Sequence, residues 1–291
     1  LESTKDNYGG SDTKGDYLAS NFITRQETPA YISILGGSNH PTTTLRGFRT
    51  KDYSSYNNYP GEYILDKVGS VGGTRIRPVA SYGDQMITRI LTFGSHTINK
   101  LSFKNLKNLQ SVPTTFNGVL DTLRSCFQGC DSFNSSNIKN WQTSGVLDFT
   151  SCFQDARNFN QSLEWDLQSA RNTANMFRGA SHFNQQCVTG WNVSGVQSFN
   201  AMFRGCSYFN QDLSNWNFSG INSTVALSQM FADTSLSDEN YEKLLINWSN
   251  NSVCLSQAMI LGEVPAQPTG IAGFNAKFKL LAANWTIDDE E

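Results

Sequence analysis

Residues 125–141 read SCFQGCDSFNSSNIKNW, and the phrase returns as SCFQDARNFNQSLEW over 151–165, NMFRGASHFNQQCVTGW over 175–191 and AMFRGCSYFNQDLSNW over 201–216. A further start, QMFADTS, occupies 229–235. The leading phenylalanines Phe127, Phe153, Phe177, Phe203 and Phe231 are 26, 24, 26 and 28 residues apart, and Trp141, Trp165, Trp191 and Trp216 keep the same beat. A fixed period of roughly 20–50 residues marks a solenoid, in which each unit buries its apolar face only against its neighbours. That reading governs the rest of the chain.

Each unit divides in two. Val196, Phe199, Met202 and Phe203 lie at i, i+3, i+6 and i+7, which is one face of a short helix. Val146, Phe149, Cys152 and Phe153 repeat the spacing, as do Leu120, Leu123, Cys126 and Phe127. Gly129, Gly179 and Gly205 follow, where a helix C-terminus favours a residue tolerant of positive φ. The second half, Leu213-xx-Trp216-x-Phe218, has the spacing of a leucine-rich-repeat strand, and Ile138-xx-Trp141-x-Thr143 and Val188-xx-Trp191-x-Val193 agree. Leu163-x-Trp165-x-Leu167 is one residue short, a place for a local bulge. The expected fold class is therefore an α/β repeat solenoid, with a short helix and a short strand in each coil of about 25 residues.

Working outward, residues 1–28 are polar and without periodicity, and read as an extended arm or linker. Residues 29–95 alternate short β-type runs (Ala30–Leu35, Tyr63–Leu65, Arg75–Arg77, Met86–Leu91) with glycine-rich turns, a small β-rich module. The solenoid is placed at 96–236, with Leu101, Phe103, Leu106, Leu109 and Val112 forming an atypical first coil that caps the open end. Residues 237–291 form a C-terminal cap: a helix over DENYEKLLINWSNN with Ser237 or Asp238 near its start, then a helix and a short strand in FNAKFKLLAANWTIDDEE, ending in a solvated acidic tail.

Composition limits the function. The net charge of −3 over 291 residues supplies no basic field for nucleic acid or anionic lipid. Charged residues make up only 16%, so the surface is polar through amides and hydroxyls, which leans towards an extracellular or virion setting. No apolar run approaches the ~20 residues of a membrane helix. His40, His96 and His182 form no metal-binding or catalytic pairing, and no nucleophile elbow, P-loop or dinucleotide fingerprint occurs in a suitable context. The expectation is a protein without enzymatic activity, cofactor or metal.

Repeated residues carry two readings each. The steps Phe133-Asn134, Phe159-Asn160, Phe183-Asn184 and Phe209-Asn210 stack asparagine on asparagine, either as an amide ladder satisfying turn backbone or as a ligand contact, and the ladder is favoured. The tryptophans are either core or an exposed aromatic stripe. Cys126 and Cys152 share a column with Met176, Met202 and Met230, while Cys130 and Cys206 share one with Ala156 and Ala180. Such columns are core columns, which favours buried thiols. A Cys126–Cys152 disulfide is open to adjacent coils; Cys130–Cys206 is excluded by the coils between them. N-x-S/T sequons recur, among them Asn134, Asn160 and Asn247.

The unit MFxGCxxFNQDLSNWNxS, the entry TFGSHTINKLSFKNLKNLQSVP and the ending NYEKLLINW…AKFKLLAANWTIDD resemble the BspA-like leucine-rich repeats of bacterial surface proteins, which also occur in mycoplasma lipoproteins and in phage and viral proteins. The resemblance spans Ser81 to Asp289 and departs at Thr173 and Ala174, where bulky residues are lost from the first half of a coil. It implies surface display with adhesion or protein binding, and no common catalytic site. The functional expectation is a surface-displayed recognition or adhesion protein binding a protein or glycan through its repeats, with Ser214, Asn215, Trp216 and Asn217 as candidate contacts. The alternative is a self-assembling subunit of an extracellular filament or virion, associating through residues 1–35 by strand addition.

Overall fold

The computed structural model describes residues 101–289, and before them six short segments that end in Leu101: β1 (Ile32–Leu35), β2 (Gly47–Thr50), β3 (Gly61–Asp66), β4 (Thr74–Pro78), β5 (Ile87–Ile90) and β6 (Ile98–Leu101). The expected arm at residues 1–28 lies outside the described residues. These strands form two three-stranded sheets, ordered β1-β4-β6 and β2-β3-β5. β4 pairs with β6 in parallel, Thr74 facing Ile98, and β3 pairs with β5 in parallel, Gly61 facing Ile87.

The β4–β6 ladder does not stop at β6. Lys100 bridges Thr122, Thr122 bridges Asp148, Asp148 bridges Asn172 and Asn172 bridges Ser198, all in parallel. One hydrogen-bonded register thus runs from strands before residue 95 to the repeats after it. Backbone pairing crosses the boundary expected at 95/96, and β6, which leads into Leu101–Val112, pairs with β4 as well as bridging Thr122.

Around each coil the first half differs from the helix its apolar spacing suggests. In residues 123–130 the N–H groups of Cys126, Gln128 and Cys130 bond back three residues, to Leu123, Ser125 and Phe127. The alternate N–H groups of Leu123, Ser125, Phe127 and Gly129 leave the coil and donate to Asp148, Thr150, Cys152 and Gln154 of the next. An α-helix would consume all of them internally. The result is a chain of turns that keeps the i, i+3, i+7 apolar face and still hydrogen-bonds laterally. It requires left-handed residues twice per coil: Ser125 and Gly129, Ser151 and Asp155, Asn175 and Gly179, Ala201 and Gly205, Gln229 and Asp233 all have positive φ. The second halves contain no strand either; they hold 3₁₀ turns at Ser136–Ile138 and Gln186–Gly190.

The core follows the repeat. Phe127, Phe153, Phe177, Phe203 and Phe231 are fully buried and stack ring on ring at 5.3, 5.4, 5.8 and 6.3 Å along the coils. Each of the first four also stacks on the Phe of its own coil's Phe-Asn step at 3.9–4.1 Å. Such pairs are worth about 0.5–1.5 kcal/mol beyond area burial. Trp141, Trp165, Trp191 and Trp216 line the core with at most 8% exposure, so they are core and not a surface stripe. At the departure noted in the sequence, Thr173 takes a core position and its hydroxyl donates to the Ser198 carbonyl at 3.0 Å.

After Phe231 the pattern is replaced by helices. Ser237 caps α1 (Asp238–Ser249), accepting from Asn240 N–H, and Asn251 caps the single turn α2 (Ser252–Leu255). Then β7 (Ile260–Val264) pairs in parallel with β8 (Thr286–Asp289), with α3 (Ile271–Ala282) between them. Asp289 departs from the expected solvated tail. Its side chain is 4% exposed, accepting from the Tyr241 hydroxyl at 3.1 Å and from Lys277 Nζ at 2.6 Å.

Candidate functional site

The Phe-Asn steps form a ladder along one rim. Asn134 Oδ1 accepts from Asn160 N–H at 3.0 Å and Gln161 Nε2 at 2.9 Å; Asn160 Oδ1 accepts from Asn184 N–H at 3.0 Å and Gln185 Nε2 at 2.8 Å. Asn184 serves Asn210 and Gln211 likewise, and Asn210 serves Ser237 and Asn240 of the cap. These amides are committed to joining coils, which supports their structural reading.

Just past this rim lie the tryptophan-bearing loops, and there the repeat allows a controlled comparison. Trp141 Nε1 donates to Pro113, Trp165 Nε1 to Ile138 and Trp216 Nε1 to Val188, each to the preceding coil. The Ile138 and Val188 carbonyls are set by turns closed by Trp141 N–H and Trp191 N–H three residues on. In the short unit, Leu163-x-Trp165, no such turn exists. Trp191 Nε1, which would reach back to this short unit, is buried without a partner. A cleft of about 720 Å³ opens here, lined by Ser162–Trp165 from the short coil and by Gln185–Cys187 and Thr189–Trp191 from the next.

A second cleft, about 560 Å³, lies on the same edge where α1 replaces the next coil. It is lined by Ser214, Asn215, Trp216 and Asn217 from the last full coil and by Lys243, Ile246, Asn247, Asn250 and Asn251 from the cap. The candidate contacts Ser214, Asn215 and Asn217 are thus brought together. Trp216 is corrected: its side chain is 1% exposed with its N–H spent on Val188, so it supplies wall and not a contact. Asn247 Nδ2 donates to the carbonyls of Ser214 at 2.7 Å and Trp216 at 3.4 Å. Those two acceptors fix the amide's orientation and leave Asn247 Oδ1 buried with nothing donating to it. The same bonds occupy the nitrogen that a sequon at Asn247 would need free.

Electrostatics at this cleft are settled locally. Lys243 Nζ reaches Asp212 at 3.1 Å and Glu239 at 2.8 Å. Burial works to raise the Asp212 carboxyl, but hydrogen bonds from Ser214 and the Lys243 ammonium outweigh it and hold it below the usual carboxylate range. Hydrogen bonds to Glu239 and Asp212 raise the Lys243 ammonium in turn. The lysine is therefore a neutralised spacer, and the cleft presents amides.

All six cysteines are free. Cys130 and Cys206 each donate to a core carbonyl, Phe103 at 3.0 Å and Phe177 at 2.9 Å, and only Cys187, in the larger cleft, is not fully buried. Among the described residues no group of three or more His, Cys, Asp or Glu side chains is placed to hold a metal ion, and no helix is long and apolar enough to cross a membrane. The cap's contribution to the second cleft, Lys243, Asn247 and Asn250, was not legible as a site; the only mark on Asn247 was its sequon.

Residues 121–248 match the family described as Mycoplasma protein of unknown function, DUF285. No curated protein and no solved structure matches the chain. The matched segment contains the repeats, both clefts' tryptophan loops and nearly all of α1.

Proposed function

We propose that the chain is a leucine-rich-repeat-type solenoid of the BspA-like kind, and that it is a non-enzymatic recognition or adhesion module displayed at a cell surface. It binds a protein or glycan partner along the edge made by the tryptophan loops. One observation carries this reading: both clefts on that edge are lined by a residue with a polar atom buried without a partner behind the cleft wall, Trp191 Nε1 in one and Asn247 Oδ1 in the other. An unmade buried hydrogen bond costs about 1–3 kcal/mol, part of which a ligand recovers when the cleft wall shifts to bring the atom into its reach. The chemistry asked of a ligand is an acceptor at the first cleft and a donor at the second, which hydroxyl-rich sugars and extended peptide backbone both offer. The curvature that repeat stacks offer to large partners supports the same use. The filament or virion alternative through residues 1–35 rests almost wholly on residues outside the described ones, and no described feature favours it.

The test is binding of the purified chain to an oligosaccharide array and to intact epithelial cells, compared with Asn215→Arg/Asn250→Arg. Both positions are exposed, so the fold is kept while the second cleft is obstructed. The proposal expects wild-type binding and at least a tenfold loss in the variant. Equal binding by the two proteins, or none by wild type to any array component or cell, overturns it.

A further inference from the structure

The last helix, α3, has two apolar faces. Gly273, Ala276 and Leu280 point inward and are buried. Nearly opposite them stand Ile271, Phe274, Phe278 and Leu281, which are 82%, 46%, 67% and 40% exposed. Single exposed apolar residues are ordinary, but a stripe of four is not. Asn275, Lys277 and Lys279 are the only polar residues of α3, so a second apolar face is left for a partner to cover. By contrast α1 points its apolar residues Tyr241, Leu244, Leu245 and Trp248 inward.

The spacing fits a second copy of the same helix. The stripe runs 271, 274, 278, 281, with intervals of 3, 4 and 3 residues, the a/d seam of a two-helix coiled coil. That series reads the same in both directions, so it fits a reversed copy of itself: Ile271 against Leu281 and Phe274 against Phe278. Closed two-fold contacts need this kind of self-complementary patch. The flanks permit it as well. On one side stand Asn275 and Ala282, without charge; on the other Lys277 is held by Asp289 at 2.6 Å, so no free like charges face each other across the pair. The stripe alone buries on the order of 800 Å² in total over two copies, below the ~1,200 Å² of a standard stable interface, which makes the contact a weak and reversible one.

We propose that α3 is a homodimerisation surface, pairing antiparallel with α3 of a second copy. Because the contact is two-fold it closes, and a dimer carrying two recognition edges follows, not a filament. Paired edges raise avidity for a multivalent surface by about 10²–10⁴ without new contacts.

Sedimentation velocity of the full chain from about 1 to 300 µM tests this. The expected result is a shift from one to two chain masses with rising concentration, abolished in Phe278→Glu, which sets carboxylates into the seam. The urea midpoint of Phe278→Glu, measured on the monomer at low concentration, should match wild type because the side chain is exposed. Oxidation of an Ile271→Cys and Leu281→Cys mixture should give the mixed disulfide in preference to either homodimer. A wild type that stays at one chain mass throughout, or a Phe278→Glu protein that dimerises as wild type does, overturns the proposal; preferred homodimer disulfides overturn the antiparallel pairing.

Discussion

Asn160 offers the sharpest test of how the coils are joined. Its Oδ1 accepts two hydrogen bonds from the next coil, from Asn184 N–H at 3.0 Å and Gln185 Nε2 at 2.8 Å. Gln185 keeps a second acceptor, the Asn160 carbonyl at 3.1 Å, but the Asn184 N–H has none in reserve. Asn160→Ala therefore removes two bonds worth about 1 kcal/mol each and strands one half-buried donor, for a loss of about 2 kcal/mol. Asn160→Asp keeps the oxygen, and a charged acceptor strengthens N–H donation. The aspartate should recover most of the loss.

Urea unfolding followed by far-UV circular dichroism reads both. With an m-value of about 2 kcal/mol/M, 2 kcal/mol moves the midpoint by about 1 M. The expected order is wild type, then Asn160→Asp slightly below, then Asn160→Ala about 1 M lower. If the alanine protein unfolds within about 0.2 M of wild type, the ladder does not couple the coils. If aspartate loses as much as alanine, the amide nitrogen matters and the acceptor-only account of the rim is wrong.

Two further outcomes follow from the same geometry. Gly205 and Gly118 both have positive φ, +74° and +122°, yet a Cβ on Gly205 would meet Gly179 backbone at an ordinary 3.5 Å while one on Gly118 would run into the Ile98 backbone. Gly205→Ala should cost about 1–2 kcal/mol of left-handed strain, and Gly118→Ala about 1–3 kcal/mol more, readable as separate midpoints in the same urea series. Thiol titration of the native protein with an aromatic disulfide should give one fast equivalent out of six, Cys187. Burial raises the thiols of Cys126, Cys130, Cys152 and Cys206, and pushes Cys254 up to about 12. A second fast equivalent would show the coils open more readily than their packing implies.

The periodic core was legible because identical side chains must meet when equivalent coils stack: every leading Phe and every repeat Trp is buried as the columns require. The local conformation was not. Apolar residues at i, i+3 and i+7 serve a helix and a chain of turns equally, and what separates them is where alternate N–H groups go, which depends on a neighbour in the next coil, 25 residues on for Leu123 and 27 for Phe203. The left-handed serines and asparagine at 125, 151 and 175 were a weak trace of the turns, since Asn tolerates that region better than β-branched residues do. The pairing of β4 with β6 was not legible for the same reason: the two strands share a hydrogen-bond register but not the repeat consensus.

The two clefts were harder to see because they arise where the repeat fails. Regular coils join through their Phe-Asn amides, though single buried atoms such as Asp131 Oδ1 and Thr150 Oγ1 lack partners there too. A coil shortened at Leu163-x-Trp165 withholds the carbonyl that Trp191 needs, and a helix standing in for the next coil turns Asn247 towards Ser214 with its oxygen unused. Sequence periodicity is an average over units, whereas the binding proposed here rests on individual departures from it. Residues such as Asn215 and Asn250 therefore matter through the irregular neighbours that surround them. Inserting one residue between Leu163 and Trp165 should consequently restore the turn, give Trp191 its acceptor and close the larger cleft, raising the urea midpoint while removing that part of the proposed recognition edge.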